Sequence, residues 1–240
     1  MLDVKAMCEL YNVSPEMAEA MCGLAVETRA KGWWHAYGDA LPHWFELYVG
    51  LESAACRLRG YDESLIPGIL QTREYAQALF RRRKAMSDEA RERTVQVRLQ
   101  RQALLSRRLP KPPRLESVLS EAVLRRVVGS PTVMADQLTK LLEIAALPNA
   151  CLRVLPLAAG PHPGAVAGTF MILDFAPVKG RASTEPSVVY SESLTGALYL
   201  DKPDELAAYQ DVWDGLNALA LSEGESRDMI SKIIGEMQHD

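Results

Sequence analysis

Only four cysteines occur in 240 residues, and Cys8, Cys22, Cys56 and Cys151 form no CxxC pair and have no histidine at zinc-ligand spacing. Their scatter argues against a disulfide scaffold and a structural zinc, and points to a reducing cytoplasm. No stretch approaches the roughly 18 unbroken apolar residues of a membrane span. The opening Met1-Leu2-Asp3-Val4-Lys5-Ala6 lacks the basic and then apolar pattern of a signal peptide. A soluble, cytoplasmic chain with no membrane association is therefore expected. Catalytic signatures are missing too: there is no GxSxG, Walker loop, GxGxxG or HExxH. The four histidines, His35, His43, His162 and His239, have no metal-ligand spacing. No metal and no cofactor are expected.

What is present is a chain that is 48% hydrophobic, enough for one large domain with a real core. The net charge of -4 is unevenly spread. Residues 73 to 108 hold eleven Lys/Arg against four Asp/Glu, whereas residues 201 to 240 hold three against ten. A basic arm and an acidic tail follow, either facing solvent or available to a charged partner.

Helical signals open the chain. Val4, Met7, Cys8 and Tyr11 share a stripe, and Ser14-Pro15 restarts a helix that ends in Arg29-Ala30-Lys31-Gly32. An aromatic segment follows, and a helix is expected from Pro42 to about Ala55, weakened by Gly50. Residues 56–62 read as a strand, and Ile66-Pro67-Gly68 as a turn. Thr72 caps a helix to about Arg83, and Ser87 another to about Ser106. Further strands are expected at 115–119, 151–155, 169–175, 187–191 and 198–200, with a helix begun by Ser130-Pro131 among them. Pro203 opens the next helix, and Ser222 with Glu225 forms a capping box for the last. The fold class expected is α+β: a helical N-terminal segment, a central mixed or antiparallel sheet of about four to six short strands flanked by helices, and two C-terminal helices.

Three carboxylates lie at the ends or faces of apolar elements: Glu52, Glu121 and Glu192. A buried carboxylate needs a partner. The many arginines, among them Arg57, Arg59, Arg98, Arg101 and Arg125, favour structural ion pairs; a ligand pocket or general acid/base chemistry is the alternative. A ring-rich set, Trp33, Trp34, Tyr37, Tyr75 and Tyr190, joins His162 and Glu192 as candidate ligand-binding residues. The Gly/Pro loop at 160–168 would either cover that pocket or merely connect strands. Arg81, Arg82, Arg83 and Arg98 are the candidate partner-binding residues, and an acidic partner would suit them. With a sequence pI near 5.7 and no recognition helix after the basic run, direct binding of nucleic acid is not expected.

The run Leu65-Ile66-Pro67-Gly68-Ile69-Leu70-Gln71-Thr72-Arg73-Glu74-Tyr75-Ala76 resembles the VPGLLQTxxYA hallmark of a domain of unknown function, DUF5753, which follows Xre-type helix-turn-helix units in streptomycetes and their relatives. Further pieces match in order: Lys31 to His35, Val97 to Gln102, Ser120 to Arg125, Asn149 to Pro156, His162-Pro163-Gly164, Val188 to Glu192 and Gly196 to Leu200. The resemblance implies a cytoplasmic regulator from actinobacteria in which residues 1–31 are the remnant of the last DNA-binding helix plus a connecting helix, and residues 32–240 form the DUF5753-like domain. It implies a ligand- or partner-sensing role in transcription regulation, without DNA binding by this chain alone, and a small acidic partner protein. An enzyme of natural-product metabolism on the same fold and an antitoxin-like interaction module stay open as alternatives, as does a homodimer. The catalytic residues, if any exist, are unassigned.

Overall fold

The computed structural model describes residues 43–83, 86–177 and 186–239, with a few isolated positions between 7 and 18. The helices expected over 3–31 lie largely outside the described residues, and Trp33, Trp34 and Tyr37 entirely so. The described elements run α1 (His43–Ala54), β1 (Arg57–Asp62), α2 (Arg73–Arg81), α3 (Asp88–Gln102), β2 (Arg114–Ser120), α4 (Glu121–Arg125), α5 (Pro131–Ala145), β3 (Ala150–Leu155), α6 (Gly164–Ala167), β4 (Phe170–Asp174), β5 (Val188–Ser193), β6 (Gly196–Leu200), α7 (Pro203–Leu219) and α8 (Glu223–His239). A 3-10 turn, Gly68–Leu70, precedes α2.

Local chemistry sets the helix starts. The side chains of Thr72, Ser87 and Ser130 accept from the backbone N–H of Tyr75, Ala90 and Val133, satisfying donors that a helix leaves orphaned. Ser222 and Glu225 bond reciprocally, the Glu225 N–H donating to the Ser222 hydroxyl and the Ser222 N–H to the Glu225 carboxylate. Helix α1 tolerates Gly50 because Tyr48 and Val49 are buried beside it, and that burial outweighs the ~1 kcal/mol a helical glycine costs. Two short helices, α4 and α6, arise where only a strand end and a loop were expected.

The sheet order is β3-β2-β1-β4-β5-β6. β1, β2 and β3 are parallel to one another, whereas β4, β5 and β6 continue as an antiparallel meander. The α+β class expected from the sequence is the one found, with a mixed sheet. Strand alternation divides the core in two. Leu58, Leu115, Leu152, Leu173 and Tyr190 pack under α1, α2, α5 and α8. Tyr61, Val118, Phe170, Ile172 and Val189 pack under Trp213 and Leu216 of α7. Asp62, the last residue of β1, has the parity of Leu58, and so belongs to the first of these faces.

Candidate functional site

On that first face a cavity of about 130 Å³ opens between α1, the Pro67-Gly68 turn, α3 and the ends of β1, β4 and β5. Its apolar lining includes Phe45, Ile69 and Met171, and its polar lining Asp62, Arg98, Arg101, Tyr190 and Glu192.

The cavity rests on a buried ion pair. Glu52 of α1 is 1% exposed and accepts two bonds from Arg101 of α3, at 2.7 and 2.6 Å. Tyr48, one turn before Glu52, donates to the same carboxylate at 2.9 Å. The Arg101 guanidinium also lies 5.1 and 5.2 Å from the ring centres of Phe45 and Tyr48. Burial alone would lower the Arg101 pKa, but the Glu52 carboxylate outweighs it and the net shift is upward. Removing either partner would strand a buried charge, a loss of about 3–5 kcal/mol. Glu52 and Arg101 are thus mutually satisfied and form a wall.

Three other polar groups keep bonding capacity unused. Arg98, one turn before Arg101 on the same face of α3, donates to the Gln71 side-chain carbonyl and lies 4.5 Å from the Phe80 ring centre. Among the described residues it has no ion-pair partner. Burial, and then the like charge of Arg101, hold its pKa down to about 10. Asp62 has neither an ion pair nor a hydrogen bond from any described residue, and burial pushes its carboxyl up to about 8. Tyr190 is 6% exposed, its ring held between Tyr48 and Tyr199 at centroid distances of 4.2 and 5.2 Å. Its hydroxyl is buried and finds no partner at hydrogen-bonding geometry among the described residues. Burial first raises the phenol's pKa, and then the Glu192 carboxylate, which lies close enough to act as a weak, poorly aligned acceptor. Glu192 itself is exposed at the rim.

Gly68 leaves room for both guanidiniums. A Cβ there would sit 3.1 Å from Arg101 Nη1 and 3.7 Å from Arg98 Nε. The residues around it hold the turn in place. Gln71 donates to the Ile66 carbonyl at 2.6 Å, Tyr75 Oη accepts from the Ile66 N–H at 3.2 Å, and Gln102 of α3 donates to the Gln71 carbonyl. The run from Leu65 to Ala76 therefore builds one wall of the cavity and aims Arg98 along it.

The ligand candidates read from the sequence are not all brought together. Tyr190 and Glu192 line the cavity, and Glu52 stands behind it paired with Arg101. Tyr75 is fully buried and braces the turn. Glu121 lies elsewhere, capping the Leu157 N–H at 2.9 Å and pairing with Arg125 at 2.6 Å. His162 does not line the cavity; it meets the Tyr61 ring edge-on at 5.8 Å, against the α7 face of the sheet. The physical reason is strand parity: Tyr61 and Asp62 are neighbours in sequence and point to opposite faces. Trp33, Trp34 and Tyr37 lie outside the described residues. Of the candidate partner residues, Arg81, Arg82 and Arg83 are exposed, whereas Arg98 is drawn into the cavity wall by Gln71 and Phe80 and does not join them. Sequence reasoning passed over Asp62, Phe45, Tyr48 and the pocket side of Arg98 and Arg101. The i, i+3 arginine pair and the i, i+4 Tyr48–Glu52 pair were the signals available.

Two further recesses carry less. One of about 170 Å³ lies beside the satisfied Glu52–Arg101 pair. Another of about 350 Å³, on the α7 face, is lined by Arg153, which already bonds Asn217 and the carbonyls of Ala220 and Leu221. Among the described residues no cluster of three or more metal-ligating side chains occurs, and no helix is long and apolar enough to cross a membrane.

Compared with known proteins, residues 45–232 match the model of a family described as a domain of unknown function, DUF5753, which is more than three quarters of the chain. No curated protein and no solved structure matches significantly.

Proposed function

The chain belongs to the DUF5753 family, and we propose that it serves as the small-molecule-sensing module of a cytoplasmic helix-turn-helix transcription regulator, with the cavity between α1, α3 and the sheet as its ligand site. The observation that carries this reading is an apolar cavity onto which a buried Tyr190 hydroxyl converges with a carboxyl, Asp62, and a guanidinium, Arg98, neither of which has an ion-pair partner among the described residues. Polar groups with unused bonding capacity that converge on one apolar concavity are the usual mark of a ligand site. Regulation follows from geometry: a ligand there would touch α1, α3 and the ends of three strands at once, and so bias how the helical layer sits on the sheet.

The test is a melting-temperature screen of the whole chain against a chemically diverse small-molecule library, repeated with Thr169→Trp. Thr169 is exposed at the cavity's edge, so the indole should plug the mouth without disturbing the core. Compounds that raise the wild-type melting temperature should fail on the plugged variant. A library without a single such compound would count against a sensing cavity.

A second reading concerns the C-terminal end of α2. Arg81, Arg82 and Arg83 are exposed, and no described carboxylate pairs with any of them. This corner suits an acidic protein partner, and it is compatible with the sensing role.

A further inference from the structure

Resting on the cavity reading above, we infer that the ligand is a small zwitterion, an amino acid or close analogue, whose ammonium group meets Asp62 and whose carboxylate meets Arg98 and the Tyr190 hydroxyl.

A carboxyl and a guanidinium lining one cavity of about 130 Å³ would ordinarily pair. Here they do not: Asp62 and Arg98 line the same space, yet no ion pair joins them, and the charges next to them are already committed. Arg101 belongs to Glu52. Glu192 is at the rim, where water reaches it. A ligand bearing only a positive charge would answer Asp62 and leave the guanidinium of Arg98 without an anion. A ligand bearing only a negative charge would answer Arg98, leave Asp62 without a partner and bring a second anion toward Glu192. A molecule with both groups, spaced to span the gap, satisfies both residues and makes each bond charge-assisted. The buried Tyr190 hydroxyl then has an acceptor.

Size and lining narrow the class. One water takes about 10–15 Å³ of such space, so the cavity suits a ligand of roughly ten non-hydrogen atoms. Phe45, Ile69 and Met171 offer an apolar wall for a short side chain. The raised pKa of Asp62 fits as well, since a neighbouring ammonium would draw its proton off. Binding to the protonated carboxyl then releases that proton to the buffer.

The experiment is isothermal titration of the whole chain with the standard protein amino acids, each beside its decarboxylated amine and its des-amino acid. An amino acid with a small apolar side chain should bind, and both truncated counterparts should not. The heat should vary with the ionisation enthalpy of the buffer, as proton release requires. Asp62→Asn and Arg98→Gln should each weaken binding tenfold or more, as loss of a charged hydrogen bond of about 1.5–3 kcal/mol predicts. Tyr190→Phe should weaken it about fivefold while leaving the free protein's melting temperature little changed, because the hydroxyl it removes makes no well-aligned hydrogen bond in the free protein. Binding of an amine or an acid as tightly as the parent amino acid overturns the zwitterion. So does failure of every amino acid to bind. In either case, library compounds blocked by Thr169→Trp would leave the sensing cavity standing, and their absence would remove both readings.

Discussion

At the scale of single residues, the cavity is a place where the free protein forgoes stability. Asp62 shows it most directly. Its carboxyl is pushed up to about 8 by burial, whereas in the unfolded chain it titrates near the ordinary value of about 3.9. Between those two values the folded protein holds a proton that the unfolded chain has lost, so stability falls as pH rises through this window. The groups facing Asp62 across the cavity, Arg98, Tyr190 and Glu192, do not neutralise it. The advantage of Asp62→Asn over the wild type should therefore be larger near pH 8.5 than near pH 5. Partial exposure tempers the effect, and about 1–2 kcal/mol is expected, which for a chain of this length is about 2–8 °C in melting temperature. Thermal melts of both proteins at the two pH values check it. A gap that stays constant across the range would mean that Asp62 titrates normally.

At the scale of elements, the turn before α2 is fastened from behind by α5. Gln137, fully buried, accepts from the Thr72 N–H at 2.7 Å and donates to the Leu70 carbonyl at 2.8 Å. Thr72 in turn caps α2 through the Tyr75 N–H at 3.3 Å. One side chain thus joins α5, the 3-10 turn and the start of α2, and keeps Gly68 against the two arginines. Gln137→Leu preserves the volume roughly but leaves a buried donor and acceptor unanswered. Each costs about 1–3 kcal/mol, so a loss of about 2–4 kcal/mol is expected, read from urea denaturation midpoints. A loss under about 0.5 kcal/mol, the range of ordinary surface changes, would show that the turn is held by its apolar residues Ile66, Ile69 and Leu70 alone.

At the scale of the whole molecule, charge is segregated while the fold does not depend on it. The basic excess over residues 73 to 108 is used in two ways. Arg98 and Arg101 go into the cavity wall, and Arg81 to Arg83 remain on the surface. Reversing Arg81, Arg82 and Arg83 together to Glu should change stability by less than about 0.5 kcal/mol per site. The same change should abolish salt-sensitive binding of a polyglutamate probe, a stand-in for an acidic partner. Binding that survives the triple reversal would place the acidic-partner surface elsewhere.

What the sequence determined by itself was whatever depends on near neighbours. Capping serines and threonines, a proline at a first helical turn and the period of apolar residues marked α2, α3, α5, α7, α8 and all six strands, because each signal acts within a turn or two of chain. The run from Leu65 to Ala76 likewise pointed to the family before any coordinate did. The site was legible only in part. Tyr190 and Glu192 stood out as polar groups on an apolar strand. Asp62 did not, because a strand-end aspartate is ordinary until it is known which face it points to and what covers it. Arg98 looked like a member of a solvated basic arm until Gln71 and Phe80 closed around it. His162 and Glu121 seemed to belong with the pocket, and strand parity and the order β3-β2-β1-β4-β5-β6 placed them apart. Tertiary structure decided these matters because burial, pairing and the facing of a side chain depend on residues far away in the chain, such as Glu52 meeting Arg101 and Gln137 meeting Thr72, and no local pattern encodes which of many arginines a given carboxylate will find.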